Sequence, residues 1–400
     1  DLFEATMGPT VLIMGYRSAV RDIGIMQNWS DYVLICDEAT AFKTTTTQVH
    51  QVVHHLSHNA SRTWALTATL IKNNLIDGWG IYRVVVPGLF ETSKNKFMLN
   101  YCIIRMQKIP RSNRQIPVIT GYRQSDIDRF KSHIDPYFLG RPKFLVASDL
   151  PVLTRKVVKV DMTKDQNLKY QEALSGLLEV GVGDDVEVKE TTKLTQIIYC
   201  QQIVNHLALI ECEGKSAKLE ALMELIKEGD FADEKIIIFS RFRKMIDIIC
   251  PELEKAGIGY ARVTGSETED QRKSGQDAFQ DPNSDTRVMC ITAAGTEAIN
   301  LQAARATIFY DTPWSGGEYI QSVGRMIRIG SVHDRCYAVH LVTRGSVDVR
   351  VMEVLNRKMK LIESVIGKRI QGEEDGDVEI LADNDISDIF AMLQSDARGY

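Results

Sequence analysis

Short apolar runs alternate along the chain with longer stretches in which apolar residues recur every three or four positions. Runs at residues 11–14, 32–36 and 63–66 form one set; runs at 157–160, 235–239, 288–291, 307–310 and 336–342 form a second. Such runs, rich in Val and Ile and bounded by turn or polar residues, predict buried parallel strands, with helices in the stretches between them. Residues 165–178 and 194–210 read as helices, with residues 181–185 as a flexible loop between them, and a long helical pattern runs from 347 to about 366. The expected architecture is α/β: two lobes with parallel sheets, separated by a long, basic, mostly helical insertion. The boundaries are 1–90 for the first lobe, 91–150 for the insertion, 151–370 for the second lobe with its helical segment 164–210, and 371–400 for an acidic tail.

Composition adds little to that picture. The chain of 400 residues is 44% hydrophobic and 25% charged, ordinary values for a globular protein. No apolar stretch reaches the roughly eighteen residues of a membrane span. Seven cysteines occur without a C-x-x-C pair, and several sit in apolar runs, as Cys36 and Cys290 do. A reduced, intracellular protein is expected rather than a disulfide or zinc framework.

Charge distribution changes more. The net charge is −5, but Arg105, Lys108, Arg111, Arg114, Arg123, Arg129, Lys131, Arg141 and Lys143 face only Asp126, Asp128 and Asp135 in their segment. Between Gly372 and Asp396 stand nine acids and no Lys or Arg. One end of the chain suits phosphates and the other repels them. Within the tail, Ile386, Ile389, Phe390 and Leu393 share one helix face.

Three segments carry candidate chemistry. The run ending at Cys36 delivers Asp37 and Glu38 at a strand's C-terminal end, where open α/β sheets bind ligands. In nucleotide hydrolysis one such carboxylate holds Mg²⁺ and its neighbour orients the attacking water; the bland alternative is a surface acid pair. Thr67 and Thr69 follow a second run, where hydroxyls can bridge two moving parts or simply end a strand. Arg325 and Arg328, three apart, share a face if helical and suit a phosphate gaining charge in its transition state; otherwise they are solvated surface arginines.

The D-E-A-T of residues 37–40, the T-A-T of 67–69 and the Q-x-x-G-R-x-x-R-I-G of 321–330, in this order, resemble motifs II, III and VI of superfamily 2 helicases. Residues 29–39, 66–75, 236–242, 300–304 and 310–314 resemble the Swi/Snf-type translocases more specifically. The resemblance spans residues 11–367 and implies two RecA-like lobes hydrolysing ATP at their interface. Asp37, Glu38, Arg325 and Arg328 are then catalytic, with Asp37 on Mg²⁺ through water. Thr67, Thr69, Gly295, Glu297, Gln321 and Gly324 bind ATP or couple it to movement. Ser240, Arg241, Thr264, Gly265 and Thr292 meet double-stranded DNA, mainly at its phosphates. Trp314 either touches the other lobe or packs within its own, and the basic insertion either grips DNA or is a solvated face. The acidic tail either docks on the second lobe or competes with DNA.

This sequence departs from the family pattern at Thr40, Leu70 and Ser331, and it lacks the usual Gly-Gly pair near Gly295. These changes suit a divergent member, bacterial, phage or nuclear. No G-x-x-x-x-G-K-[ST] loop is found: Gly214, Lys215 and Ser216 follow Leu209 rather than Gly at the required spacing. The resemblance places that loop upstream of Asp1, so the 400 residues alone are expected neither to bind ATP tightly nor to hydrolyse it. The leading expectation is an ATP-dependent DNA translocase. The alternatives are a strand-separating or branch-remodelling helicase and a non-catalytic DNA-binding scaffold.

Overall fold

The computed structural model describes residues 10–108, 114–141, 150–181, 187–190, 193–295 and 299–366. The acidic tail, Arg111, Lys143, Glu297 and the expected loop at 182–185 lie outside the described residues. The first part of the chain carries α1 (Tyr16–Arg21), α2 (Ile23–Met26), β1 (Val33–Cys36), α3 (Gln48–Asn59), β2 (Arg62–Ala65) and α4 (Leu75–Val85). Strands β1 and β2 pair in parallel, with Cys36 opposite Ala65. Residues 11–14, expected as a strand, form none, and Val11 and Ile13 are almost fully exposed. An apolar run becomes a strand only where a neighbouring edge takes its N–H and C=O groups.

The insertion differs from its expectation. Between α5 (Lys94–Tyr101) and α6 (Gln124–Ile134) it forms an antiparallel hairpin of β3 (Ile103–Lys108) and β4 (Gln115–Gly121). The β-branched residues Ile103, Ile104, Ile116, Val118, Ile119 and Thr120 explain the strands, and the basic side chains between them hide the pattern. Phe90 stacks on Phe130 at 5.2 Å, with Phe97 and Tyr101 edge-on to Phe90. These rings tie α5 and α6 to the loop after α4.

The second part is built on β5 (Val152–Val160), α7 (Lys164–Ser175), an antiparallel pair β6 (Leu177–Val180) and β7 (Glu187–Glu190), and α8 (Lys193–Asn205). There follow α9 (Ala217–Lys227), β8 (Ile236–Phe239), α10 (Arg243–Lys255), β9 (Gly259–Val263), α11 (Glu269–Gln280) and β10 (Thr286–Ile291). The chain then forms β11 (Ala306–Phe309), α12 (Gly316–Met326), β12 (Arg335–Thr343) and α13 (Val347–Ile366). Six strands make one parallel sheet in the order β5-β12-β11-β8-β10-β9. All four residues of β8 and of β11 are buried, because helices cover both faces. One buried cluster joins Phe97 and Phe130 of the first part to Phe309, Leu355 and Ile362 of the second. Among the described residues no helix is long and apolar enough to cross a membrane.

Candidate functional site at the lobe interface

β1 ends at Cys36 and leaves Asp37 and Glu38 exposed. Glu38 is held in the left-handed region at φ 49°, an uncommon conformation for a residue with a side chain. Its backbone N–H donates to Asp37 Oδ1 at 2.8 Å, and the Tyr16 hydroxyl donates to the Asp37 carbonyl at 2.5 Å. Ala39 N–H reaches Leu66 O, and Leu66 N–H reaches Cys36 O, so the acid turn is sewn to the end of β2. Among the described residues no ion pair engages either carboxylate.

After β2, Thr67 Oγ1 donates to Thr69 O at 3.0 Å and accepts the Thr69 N–H. The Thr69 hydroxyl is buried and lacks a hydrogen-bond partner. The loop is fixed by Asp77, which sequence reasoning missed. Its Oδ2 accepts the Lys72 and Asn73 amides, its Oδ1 pairs with Lys43 at 2.8 Å, and with Asn74 it forms the capping box of α4. The legible signal was an acid three residues after an Asn at a helix start.

That loop meets the second part. Ser315 Oγ donates to Lys72 O at 3.4 Å, and a Cβ on Gly317 would lie 2.4 Å from Lys72 Cγ. Glycine at this position therefore lets the first turn of α12 lie against the loop. Glu318 in the same turn has its pKa raised by burial, opposed by the Arg241 and Lys72 charges.

The α12 segment departs from its expectation. The helix ends at Met326 and Ile327 is extended, so Arg325 and Arg328 do not share one helix face. Arg325 is buried on the helix, with Nη1 donating to Ile299 O at 3.4 Å. Arg328 lies past the helix end, half-buried, with Nε on Gly324 O at 3.1 Å, and burial lowers its pKa. Gln321 is half-buried, and a side chain at Gly324 would enter open space. Gly295 is packed so closely that a Cβ would meet Val263 O at 1.8 Å.

The residues expected to meet DNA divide into two kinds. The hydroxyls of Ser240, Thr264 and Thr292 are buried and already bonded within the protein. Ser240 Oγ donates to Asp311 Oδ2 at 2.5 Å, and the Thr292 hydroxyl donates to Thr264 O at 3.1 Å. Arg241 and Gly265 are exposed at the same strand ends, Gly265 with φ +94°. Arg241 lies over Trp314, and both reach the Gln201 side chain. Trp314 is half-buried against a cluster of its own part, which favours packing over contact with the other lobe.

Two buried groups hold this end of the sheet together. Asp311 accepts the Ser240 hydroxyl, the Arg241 N–H at 2.9 Å and the Asn205 amide at 3.2 Å. Burial raises its pKa against those hydrogen bonds. Lys218, fully buried, pairs with Asp348 at 2.6 Å and donates to Asn205 Oδ1 and Tyr310 O. Neither residue had stood out as a site residue in the sequence, although each lies in a segment that resembles the family.

A family model for the SNF2-related domain matches residues 4–209. The chain belongs to the SNF2-related family. A second model, the helicase conserved C-terminal domain, matches residues 217–330 of this SNF2-related chain. Nuclear protein STH1/NPS1 of Saccharomyces cerevisiae is 25% identical, covering 89% of this chain and 27% of that protein. ATP-dependent DNA helicase DDM1 of Arabidopsis thaliana is 25% identical, covering 98% of this chain and 53% of that protein. The SNF2-related chain thus spans between about a quarter and a half of the length of these two relatives. Among solved structures, the SWI2/SNF2 ATPase core of Sulfolobus solfataricus in complex with dsDNA is 24% identical at a TM-score of 0.43, covering 88% of this chain and 72% of that one. The C-terminal part of the Fun30 ATPase domain is 15% identical at a TM-score of 0.47, covering 63% and 99%.

Proposed function

We propose that this SNF2-related chain is the motor part of an ATP-dependent translocase on double-stranded DNA. One observation carries the reading. The loop after β2, with Thr67, Thr69 and Lys72, lies against the first turn of α12, the helix of Gln321, Gly324 and Arg325. A change in the angle between the two parts alters this contact, which suits a device that couples a nucleotide to movement.

The residues fit the nucleotide and its metal in part. Asp37 is exposed and forms no ion pair among the described residues, as suits a carboxylate holding Mg²⁺ through water, and Glu38 stands beside it to orient a water. Arg328 and Arg325 are the cations of the other part. The phosphate-cradling G-x-x-x-x-G-K-[ST] run is absent from the 400 residues, so these residues hold the metal and catalytic side of the site without that cradle. ATP, where bound, supplies the transferable γ-phosphoryl group whose loss drives the cycle.

DNA contact rests on Arg241 after β8 and Gly265 after β9, two strand ends with β10 between them; Asp311 holds the Arg241 N–H, and the Thr292 hydroxyl bonds the Thr264 carbonyl. The Ser240 hydroxyl on Asp311 ties the start of the Arg241 turn, and grip through phosphates makes binding independent of sequence. The seven cysteines are buried, and none forms a disulfide.

The test is direct. Fluorescence anisotropy with duplexes of unrelated sequence should give equal affinities that fall steeply with salt, while ATP turnover by the 400 residues stays at background. A chain that ignores duplex DNA refutes the DNA motor. DNA-stimulated turnover by these residues refutes the expectation that they lack a phosphate cradle.

A further inference from the structure

An anion already sits at the turn between β9 and α11. Four donors converge on the carboxylate of Glu267. The Thr264 N–H reaches Oε2 at 2.6 Å, and the Thr264 hydroxyl lies 2.9 and 3.1 Å from the two oxygens. The Ser266 hydroxyl reaches Oε1 at 3.1 Å and Arg262 Nε reaches it at 2.9 Å. Burial alone would raise the pKa of this acid, but the hydrogen bonds from Thr264 and Ser266 bring it down to about 2. A backbone amide, hydroxyls and a guanidinium make the donor set that suits a phosphate oxygen.

The surroundings leave room for an exchange. A cavity of about 370 Å³, lined by Ala261, Arg262, Ser266, Glu267 and Gln271, opens beside the carboxylate. Ser266 and Thr268 on either side are exposed, so the Glu267 side chain can turn outward without unpacking a core. The start of α11 does not depend on Glu267, because Thr268 and Gln271 cap it reciprocally. Arg262 also pairs with Asp247 at 2.7 Å, so it stays anchored when Glu267 leaves.

We propose that Glu267 is an internal occupant of a phosphate site, holding the Thr264 amide and hydroxyl, the Ser266 hydroxyl and the Arg262 guanidinium until a phosphate of the DNA backbone replaces it. This rests on the DNA-binding reading above. The exchange swaps one oxyanion for another on the same donors, so it is a competition. Glu267 thereby weakens the resting grip on DNA beside the exposed Gly265 amide, and its removal strengthens that grip.

The experiment uses the full 400-residue chain and three variants, Glu267→Gln, Glu267→Asp and Glu269→Gln. Glu269 is exposed on the first turn of α11 and serves as the charge-matched control. Anisotropy with a random-sequence duplex at low salt should show E267Q binding about three- to tenfold more tightly than the parent chain. The slope of log K against log salt should steepen by about one, for one added phosphate contact. E267D keeps the charge but shortens the reach, and should give a smaller gain; E269Q should change affinity least. Thermal melts with inorganic phosphate should stabilise E267Q more than the parent, a readout that needs no DNA.

If phosphate stabilises E267Q but no form binds DNA, the anion site stands and the DNA reading fails. If DNA binds and E267Q matches E269Q in affinity and slope, the competition is refuted. Weaker binding by a folded E267Q also refutes it, since that outcome makes Glu267 a support for the turn. Should E267Q fail to fold, an E267D affinity equal to the parent's is the refuting result.

Discussion

The two parallel sheets of this protein are built from similar sequence and end in opposite environments. Ile236, Ile237, Ile238 and Phe239 on β8 are all fully buried. On β1 and β2, Val33, Ile35 and Trp64 remain 52%, 57% and 58% exposed, with Leu66 at 50% just beyond. A strand between two partners, covered above and below, removes every side chain from water, whereas a two-stranded ribbon buries one face. Among the described residues nothing covers the other face of β1 and β2. Stability is therefore concentrated in the second sheet, and the chemistry we propose sits at the end of the first, where an exposed acid pair follows a thin support.

The largest test of that contrast is the buried ion pair beneath the second sheet. Asp348→Ala leaves Lys218, fully buried, without its carboxylate and should destabilise the protein by about 3–5 kcal/mol in urea unfolding. Ile238→Ala should cost about 2–5 kcal/mol, through lost transfer energy and a cavity in a site walled by neighbouring strands. A second sheet that tolerates both changes would remove the distinction.

The sequence displayed the second sheet well and the first poorly, for a physical reason. Runs at 235–239 and 288–291 have one stable destination, a strand buried on both sides, and they form β8 and β10. The equally apolar run at 11–14 needs a neighbouring edge, and the described residues give it none. The hairpin of β3 and β4 was hidden because Arg105, Gln107, Lys108 and Gln115 break up its apolar residues within a basic segment. Site residues followed the same division. Asp37, Glu38, Thr67 and Arg325 stand at element ends that motif order marks. Asp77, Asp311 and Glu267 act by accepting backbone amides, and an amide acceptor is invisible until the chain folds around it.

A smaller effect separates the two parts by pH. His50, His54 and His58 line α3, and burial, with the neighbouring charges of His58, His50 and Arg83, lowers the pKa of His54 from 6.5 to about 4. The unfolded chain then binds a proton between pH 6.5 and about 4 that the folded chain refuses, so stability is lost as pH falls through that window. His54→Gln should flatten this limb in melts across the window while leaving stability above pH 7 little changed. An unaltered limb would show that α3 does not contribute to the acid response.

On the surface we propose to meet DNA, Arg241→Gln should weaken duplex binding about uniformly across sequences and lower the salt slope by about one. The fold should change little, because the strongest tie of Arg241 runs through its backbone N–H to Asp311, and its side chain adds only a long contact to Gln201 and a place over Trp314. Loss of stability instead of salt slope would reassign the residue to the scaffold.

The smallest expected change decides the comparison. Ile35→Thr with Trp64→Gln replaces two side chains that are more than half exposed on adjacent parallel strands. Thr keeps the β-branched shape that favours a strand, so the ribbon itself is preserved at Ile35. Little apolar area leaves water at either site, so urea unfolding should shift by no more than about 0.5 kcal/mol. Solubility should rise, because a contiguous exposed apolar patch promotes association. The same kind of polar replacement at Ile238 should cost about 1–3 kcal/mol or more, since it buries a hydroxyl where Ile238 is fully sealed from water. If the double variant instead lost several kcal/mol, the outer face of β1 and β2 would be supporting the fold, and the first sheet would be as much a core as the second.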